Sequence, residues 1–177
     1  MRAREVPFDI ANIPGQETGR IVSAEVAAAL ISASHRPLLV VGSEVMRDEF
    51  FVEKAIEMGE KGVAIAATGK SIRGFMRKGY KKVQYFNLHD ITNRLRDPNW
   101  RGIDGNGNHD TVIFFGILYY YASQMLSCLK NFALNPLIRT ISIDRYYHPN
   151  ARFTFPNIES DEEYKKMIEK VVKLVKR

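Results

Sequence analysis

Five short apolar runs, each separated from the next by a segment long enough for a crossover, constrain this chain more than any other feature. They are PLLVVG (37–42), VAIAA (63–67), VQYF (83–86), TVIFFG (111–116) and RTISID (139–144). Most are apolar at successive rather than alternate positions, which suits strands buried on both faces. Such strands belong to parallel sheets covered by helices on both sides. Between the runs, apolar residues return at helical spacing. Ser23 can cap a helix through Ala33 with Val26, Leu30 and Ile31 on one face. A second helix, from about Arg47 to Met58, places Phe51, Val52, Ala55 and Ile56 inward, and Gly59 and Gly62 end it. Leu88 to Arg96 reads as a short helix stopped by Pro98, and Leu118, Ala122, Met125, Leu129 and Phe132 mark another. The last helix opens on a capping box, Ser160 to Glu163, and buries Tyr164, Met167, Ile168, Val171, Val172 and Val175.

This alternation predicts an α/β fold: a Rossmann-like three-layer sandwich on a parallel sheet of about five to six strands, in the order 3-2-1-4-5. The chain then reverses direction between the first and fourth strands. Residues 1–22 hold Pro7, Pro14, Gly15 and Gly19 with little periodicity, and read as an extended N-terminal arm. Residues 23–177 form a single domain, as a chain of 177 residues allows. DPNWRGIDGNGNHD (97–110) is a long polar loop that Trp100 pins to the body.

One cysteine excludes both a disulfide framework and a metal or iron–sulfur cluster held by this chain's own thiolates. Cys128 itself reads as a core filler. The longest apolar stretch, around Thr111 to Tyr121, is too short to span a bilayer, and no secretory succession opens the chain, so a cytoplasmic protein with no membrane partner is expected. The net charge of +6 is scattered, with acids among the bases. Only Arg73 to Lys82 (RGFMRKGYKK) resembles a basic patch, and a solvated helix end explains it better than a nucleic-acid site.

AIAATGKSIRG (64–74) carries the Gly-Lys-Ser that closes a phosphate-binding P-loop. That loop also needs an early glycine so that backbone N–H groups can wrap the phosphates, and Ala64 stands there instead. An NTPase therefore ranks last among the readings. In a sheet of this kind ligands bind beyond the carboxyl ends of the strands, at the reversal. The candidates there are Gly42, Ser43 and Glu44 after the first strand, and Thr68, Gly69 and Lys70 after the second. Gly116 and Ile117 follow the fourth strand, and Asp144 and Arg145 the fifth. Glycines at such turns let backbone approach a phosphate or ring, or only turn the chain. The dinucleotide fingerprint G-x-G-x-x-G is absent. No catalytic residue emerges: His35, His89, His109 and His148 fit no metal or triad pattern and read as structural. Tyr119, Tyr120 and Tyr121 cannot all face the core from one helix, and with Tyr146, Tyr147, Phe153 and Phe155 they suit either an interface or edge packing.

With the strands placed, RPLLVVGSEV, GVAIAATGKSIRGF, HDTVIFFGILYYYASQMLSCLKNF and IRTISIDRYYHPNARFTFPNI resemble the central nucleotide-binding domain of thiamine-diphosphate enzymes, a DHS-like NAD/FAD-binding fold. They resemble more closely the epsilon subunit of the archaeal acetyl-CoA decarbonylase/synthase complex, in its carbon monoxide dehydrogenase component. That likeness covers nearly the whole chain, including VPFDIANIPG and WRGIDGNGNHDTVIFFG. It implies a non-catalytic subunit bound to a large alpha subunit that carries nickel and iron–sulfur clusters, in an alpha2-epsilon2 assembly. The implied role in one-carbon metabolism is to stabilise alpha, to help electrons reach FAD during CO oxidation, or both. A free-standing FAD- or NAD-binding enzyme using the strand-end crevice is the alternative.

Overall fold

A computed structural model describes residues 13, 18–134 and 138–177. Apart from Ile13 and residues 18–22, the expected arm lies outside the described residues. Ile13 is tied down at both backbone groups: its N–H donates to Asn150 Oδ1 at 3.1 Å, and Lys130 Nζ donates to its carbonyl at 2.8 Å.

One parallel sheet holds the seven strands β1 (Arg20–Ile21), β2 (Pro37–Val41), β3 (Ala64–Thr68), β4 (Gln84–Phe86), β5 (Thr111–Phe115), β6 (Arg139–Ser142) and β7 (Phe153–Thr154). Their spatial order is β1-β7-β6-β5-β2-β3-β4. The five expected strands are β2 to β6, in the expected order, and the reversal falls between β2 and β5. β1 and β7 add one edge. Each is two residues long, too short to show as an apolar run, and each lies where sequence reading places only an arm or a crossing.

The sheet separates two apolar layers because successive side chains in a strand point to opposite faces. Leu39, Val41, Ile113, Phe115 and Ile141 face one layer, and Leu38, Val40, Val112 and Phe114 the other. The first layer is covered by α1 (Ala24–Ser32), α2 (Glu49–Glu60), α3 (Ile72–Arg77) and α6 (Asp161–Leu174), the second by α4 (Leu88–Arg96) and α5 (Tyr119–Phe132). Side-chain caps set four of the starts. Ser23, Asp48, Asn87 and Ser160 each accept a first-turn backbone N–H, the last from Glu163 at 3.1 Å.

Two helical faces and one helix start differ from expectation. α1 buries Ala24, Ala27, Ala28 and Ile31, while Val26 remains 45% exposed. Its small residues let it lie close to α6, so the largest side chains do not mark its inner face. A 3₁₀ turn over Ser43–Arg47 delays the start of α2 to Glu49. Leu118 and Phe132, at the two ends of the expected α5 face, are exposed, and Ser123, Leu126 and Ser127 are buried with Ala122, Met125 and Leu129.

The polar loop 97–110 is held by its own histidine. His109 is buried; its Nε2 accepts from the Ile103 N–H at 3.3 Å, which leaves the ring proton on Nδ1 to donate to the Arg36 carbonyl at 3.1 Å. Trp100 packs beside that ring, 5.7 Å between centroids, and against the second apolar layer. Arg36 Nε donates to the Gly107 carbonyl at 3.1 Å, and the Asp110 carboxylate accepts the N–H groups of His35 and Arg36 at 2.8 and 3.0 Å. Replacing His109 by Ala strands the Ile103 N–H and removes one of the two donors to the Arg36 carbonyl, whose other donor is the Asp110 N–H, and is expected to cost about 1–2 kcal/mol. Denaturant unfolding measures that loss, and limited proteolysis should cut within residues 97–110 earlier than in the parent. Unchanged stability would refute the role given to this ring.

Candidate functional site

At the reversal, the turns after β2 and β5 lie against each other. The Gly42 N–H donates to the Phe115 carbonyl at 2.8 Å, and the Glu44 N–H to the Gly116 carbonyl at 2.8 Å. A Cβ on Gly42 would stand 2.3 Å from Gly116 O and 2.5 Å from Ile117 Cα. Gly116, at φ 65°, would place one 2.3 Å from Val45 Cγ1. Both glycines therefore serve the approach of one backbone to another.

The turn after β3 is tied to the same place by hydroxyls. Thr68 Oγ1 and Ser71 Oγ each donate to the Val41 carbonyl at 3.0 Å, and Ser43 Oγ accepts the Lys70 N–H at 2.9 Å. The P-loop-like letters thus fasten a short 3₁₀ turn, Gly69–Ser71, to the end of β2.

A cavity of about 500 Å³ opens on the other side of the β2 and β5 turns, toward β6 and α6. Of the ten candidate residues, Glu44, Gly116, Ile117, Asp144 and Arg145 line it. Gly42, which is buried, Ser43, which is exposed, and Thr68, Gly69 and Lys70 do not line it. Sequence reading did not include Phe51, Tyr119, His148, Tyr164 and Lys165, which also line it. Phe51 meets Phe115 edge-on and Tyr164 at a tilt, at 6.0 and 5.1 Å between centroids. The sequence signal for one of these, His148, was its spacing from the candidate Asp144, four residues apart after β6.

Every cation on the rim faces an acid of the rim. Arg47 pairs with Glu44 at 2.5 Å, Arg145 with Asp161 at 2.5 Å, and Lys165 with Asp48. On the floor, one oxygen of the buried Asp144 accepts the Gly116 N–H, and the Ile117 N–H beside it also favours the carboxylate. Its other oxygen has no hydrogen-bond partner, and neither has His148 Nδ1. His148 is stacked on Tyr119, 4.4 Å between centroids and 19° between planes. Its Nε2 lies 3.9 Å from Asp144 Oδ2. That separation would admit an ion pair, but burial favours the neutral form of both groups. Burial, reinforced by Glu44 and opposed by the two turn N–H groups, pushes the Asp144 carboxyl up to about 7, and burial pushes His148 down to about 4. Tyr164, whose hydroxyl donates to the Ile143 carbonyl at 3.1 Å, is also pushed up by burial.

A dinucleotide would need backbone donors for its diphosphate. At these turns the N–H groups of Gly42, Glu44, Lys70 and Gly116 are already taken, whereas the aromatic walls do suit a planar ring. Among the described residues, no three His, Cys, Asp or Glu side chains come together in a way that could hold a metal ion. No helix among them is long and apolar enough to cross a membrane.

A family model described as "CO dehydrogenase beta subunit/acetyl-CoA synthase epsilon subunit" matches residues 1–172. The chain is 45% identical to the acetyl-CoA decarbonylase/synthase complex subunit epsilon of Methanothrix soehngenii, over 97% of this chain and 92% of that protein. It is 45% identical to subunit epsilon 1 of Archaeoglobus fulgidus, over 93% and 89%. With the subunit epsilon of Methanothermobacter thermautotrophicus it shares 37% identity, over 92% of each chain.

The Asp144–His148 pair has a measurable signature. Between about pH 4 and 6.5 the unfolded pair holds one proton, on histidine, and the folded pair also holds one, on aspartate, so folding takes up no net proton. Each single substitution exposes the slope of the group it removes. Asp144→Asn should gain stability relative to the parent as pH rises from about 4 toward 7, because the parent alone keeps a raised carboxyl that resists ionising. His148→Gln should gain relative to the parent as pH falls from about 6.5 to 4, because the parent alone must protonate a buried ring. Each slope approaches about 1.4 kcal/mol per pH unit. Denaturant unfolding across pH measures both; parallel curves for parent and variants would show that the pair is not neutral in the folded state.

Proposed function

The chain belongs to the CO dehydrogenase beta subunit/acetyl-CoA synthase epsilon subunit family, and from that premise we propose that it is the non-catalytic epsilon subunit of an acetyl-CoA decarbonylase/synthase complex. In this reading it docks on an alpha subunit that carries the nickel and iron–sulfur clusters, two copies of each making an alpha2-epsilon2 unit in a larger assembly. The nearly full-length likeness to named epsilon subunits carries the reading. The residue set agrees with it: Cys128 is the chain's one cysteine, and a cluster needs several thiolates.

Stabilisation of the alpha subunit is the role the geometry favours. The strand-end turns, where this fold class would place a catalytic or phosphate-binding constellation, spend their donors on each other and on Asp144. Apolar side chains meanwhile stand out in the first turn of α5, among them Tyr120, 75% exposed, and Tyr121, 51% exposed. Surface aromatics of this kind are enriched in interfaces. A second role, assisting electron transfer to FAD during CO oxidation, draws support from the aromatic walls around Phe51, Phe115 and Tyr164. Bound FAD would supply an acceptor able to take electrons singly or in pairs. The part of this chain there would be to hold a ring between those walls.

Affinity capture of the tagged chain from anaerobically grown native cells, read by mass spectrometry, tests the reading. Recovery of a much larger nickel and iron protein is expected, and recovery of the chain alone would sink it. The double substitution Tyr120→Asp and Tyr121→Asp places charge on exposed positions, so it should leave the thermal midpoint unchanged. It should lower recovery of the partner by roughly tenfold or more, as losing interface aromatics does.

A further inference from the structure

We propose that the Asp144 carboxyl and the His148 ring form a two-donor seat for the carbonyl oxygen of an uncharged planar ring at the floor of the crevice. The inference rests on reading the crevice as the place where this chain holds a ring, and it names the ring atom that is recognised.

The protein leaves both side chains incomplete. Asp144, two residues beyond β6, is 6% exposed and His148 is 1% exposed, and both line the cavity. One oxygen of Asp144, Oδ1, accepts the Gly116 N–H, while Oδ2 has no hydrogen-bond partner. A buried carboxylate oxygen without a donor is costly, so the carboxyl keeps its proton, and Oδ2 carries it because Oδ1 is accepting. In the neutral imidazole only one nitrogen is protonated. His148 Nδ1 also lacks a partner. A proton there would be a buried donor with no acceptor, which is rarer than an unmet acceptor, so the proton sits on Nε2.

Oδ2 and Nε2 stand 3.9 Å apart, beyond hydrogen-bond range, and two donors cannot serve each other at any distance. Both need an acceptor. A single oxygen about 2.8 Å from each would stand at roughly a right angle between them, an arrangement open to an oxygen with two lone pairs. His148 lies flat on Tyr119, 4.4 Å between centroids and 19° between planes, which fixes the direction of its N–H.

The surroundings select which oxygen fits. Arg47, Arg145 and Lys165 are already paired with acids of the rim, so an anion at the floor would be buried without a counter-charge. An uncharged carbonyl meets both donors without that cost. Phe51, Phe115 and Tyr164 wall a volume of about 500 Å³, within the range of small-molecule pockets, and suit the faces of a flat ring whose edge reaches the floor.

Lumichrome and phenazine each consist of three fused rings without phosphate, and only lumichrome carries ring carbonyls. The purified chain is dialysed to equilibrium against each at about pH 6, where both floor groups are neutral, and bound ring is read by absorbance. Lumichrome should bind at least roughly tenfold more tightly, because phenazine leaves two buried donors unmet. Asp144→Asn can turn its amide oxygen to the Gly116 N–H and its amide N–H to the seat, and should keep the preference. Asp144→Leu and His148→Phe each remove one donor, the second while keeping a ring on Tyr119, and each should lower the preference by roughly fivefold. Circular dichroism and the thermal midpoint establish that the variants are folded, and the comparison of the two rings in the parent needs no variant. A merely structural pair would change stability and leave the ratio alone. A preference that survives Asp144→Leu and His148→Phe, or one lost in Asp144→Asn, would overturn the seat. Equal binding of the two rings would overturn it too while leaving the ring-holding role standing; binding of neither would remove both. No partner enters the experiment, so the subunit reading is judged by the capture experiment alone.

Discussion

The approach of Gly42 to the backbone of Gly116 and Ile117 is the constraint on which the rest of this structure depends. Two strand ends of a parallel sheet normally part at the reversal, because the helices that follow them leave on opposite faces. In this chain the turn after β2 donates two backbone hydrogen bonds to the end of β5 and its turn across that point. A side chain at either glycine would push them apart. Once they are joined, the turn after β3 can reach Val41 through Thr68 and Ser71, and Asp144 can accept the Gly116 N–H of the β5 turn. The cavity is what remains between this closed seam, α2 and α6.

Much of the fold was legible because its information is local. Unbroken apolar runs such as TVIFFG have one good use, a strand covered on both faces, and Ser23, Asn87 and Ser160 stand where helix starts need an acceptor. The order of β2 to β6 followed from the alternation itself. What was not legible depends on partners far away in sequence. β1 and β7 exist because two residues of each find one another 133 positions apart, Arg20 beside Phe153. Alanines line the inner face of α1 because α6 comes close, and nothing in AEVAAALIS announces that.

The cavity was legible in halves. The strand-end rule located Glu44, Gly116, Ile117, Asp144 and Arg145, since it depends only on topology. It also nominated Thr68, Gly69 and Lys70, because a glycine that cradles an anion and a glycine that admits another backbone look alike in a sequence. His148 passed for a structural residue, as did His109. The two share burial and a depressed basicity, yet His109 has partners for both nitrogens while His148 has one nitrogen unmet. Only the surroundings separate them.

The edges of the sheet carry a consequence for assembly. β1 offers two residues at one border and β4 three at the other, with Lys81 and Lys82 just ahead of β4. Borders this short give an incoming chain almost no ladder to extend, and the lysines discourage it further. Among the described residues, recognition of this molecule by another therefore falls to side chains on helices and turns rather than to shared backbone. Such a contact can be remodelled one residue at a time, leaving the sheet beneath it untouched.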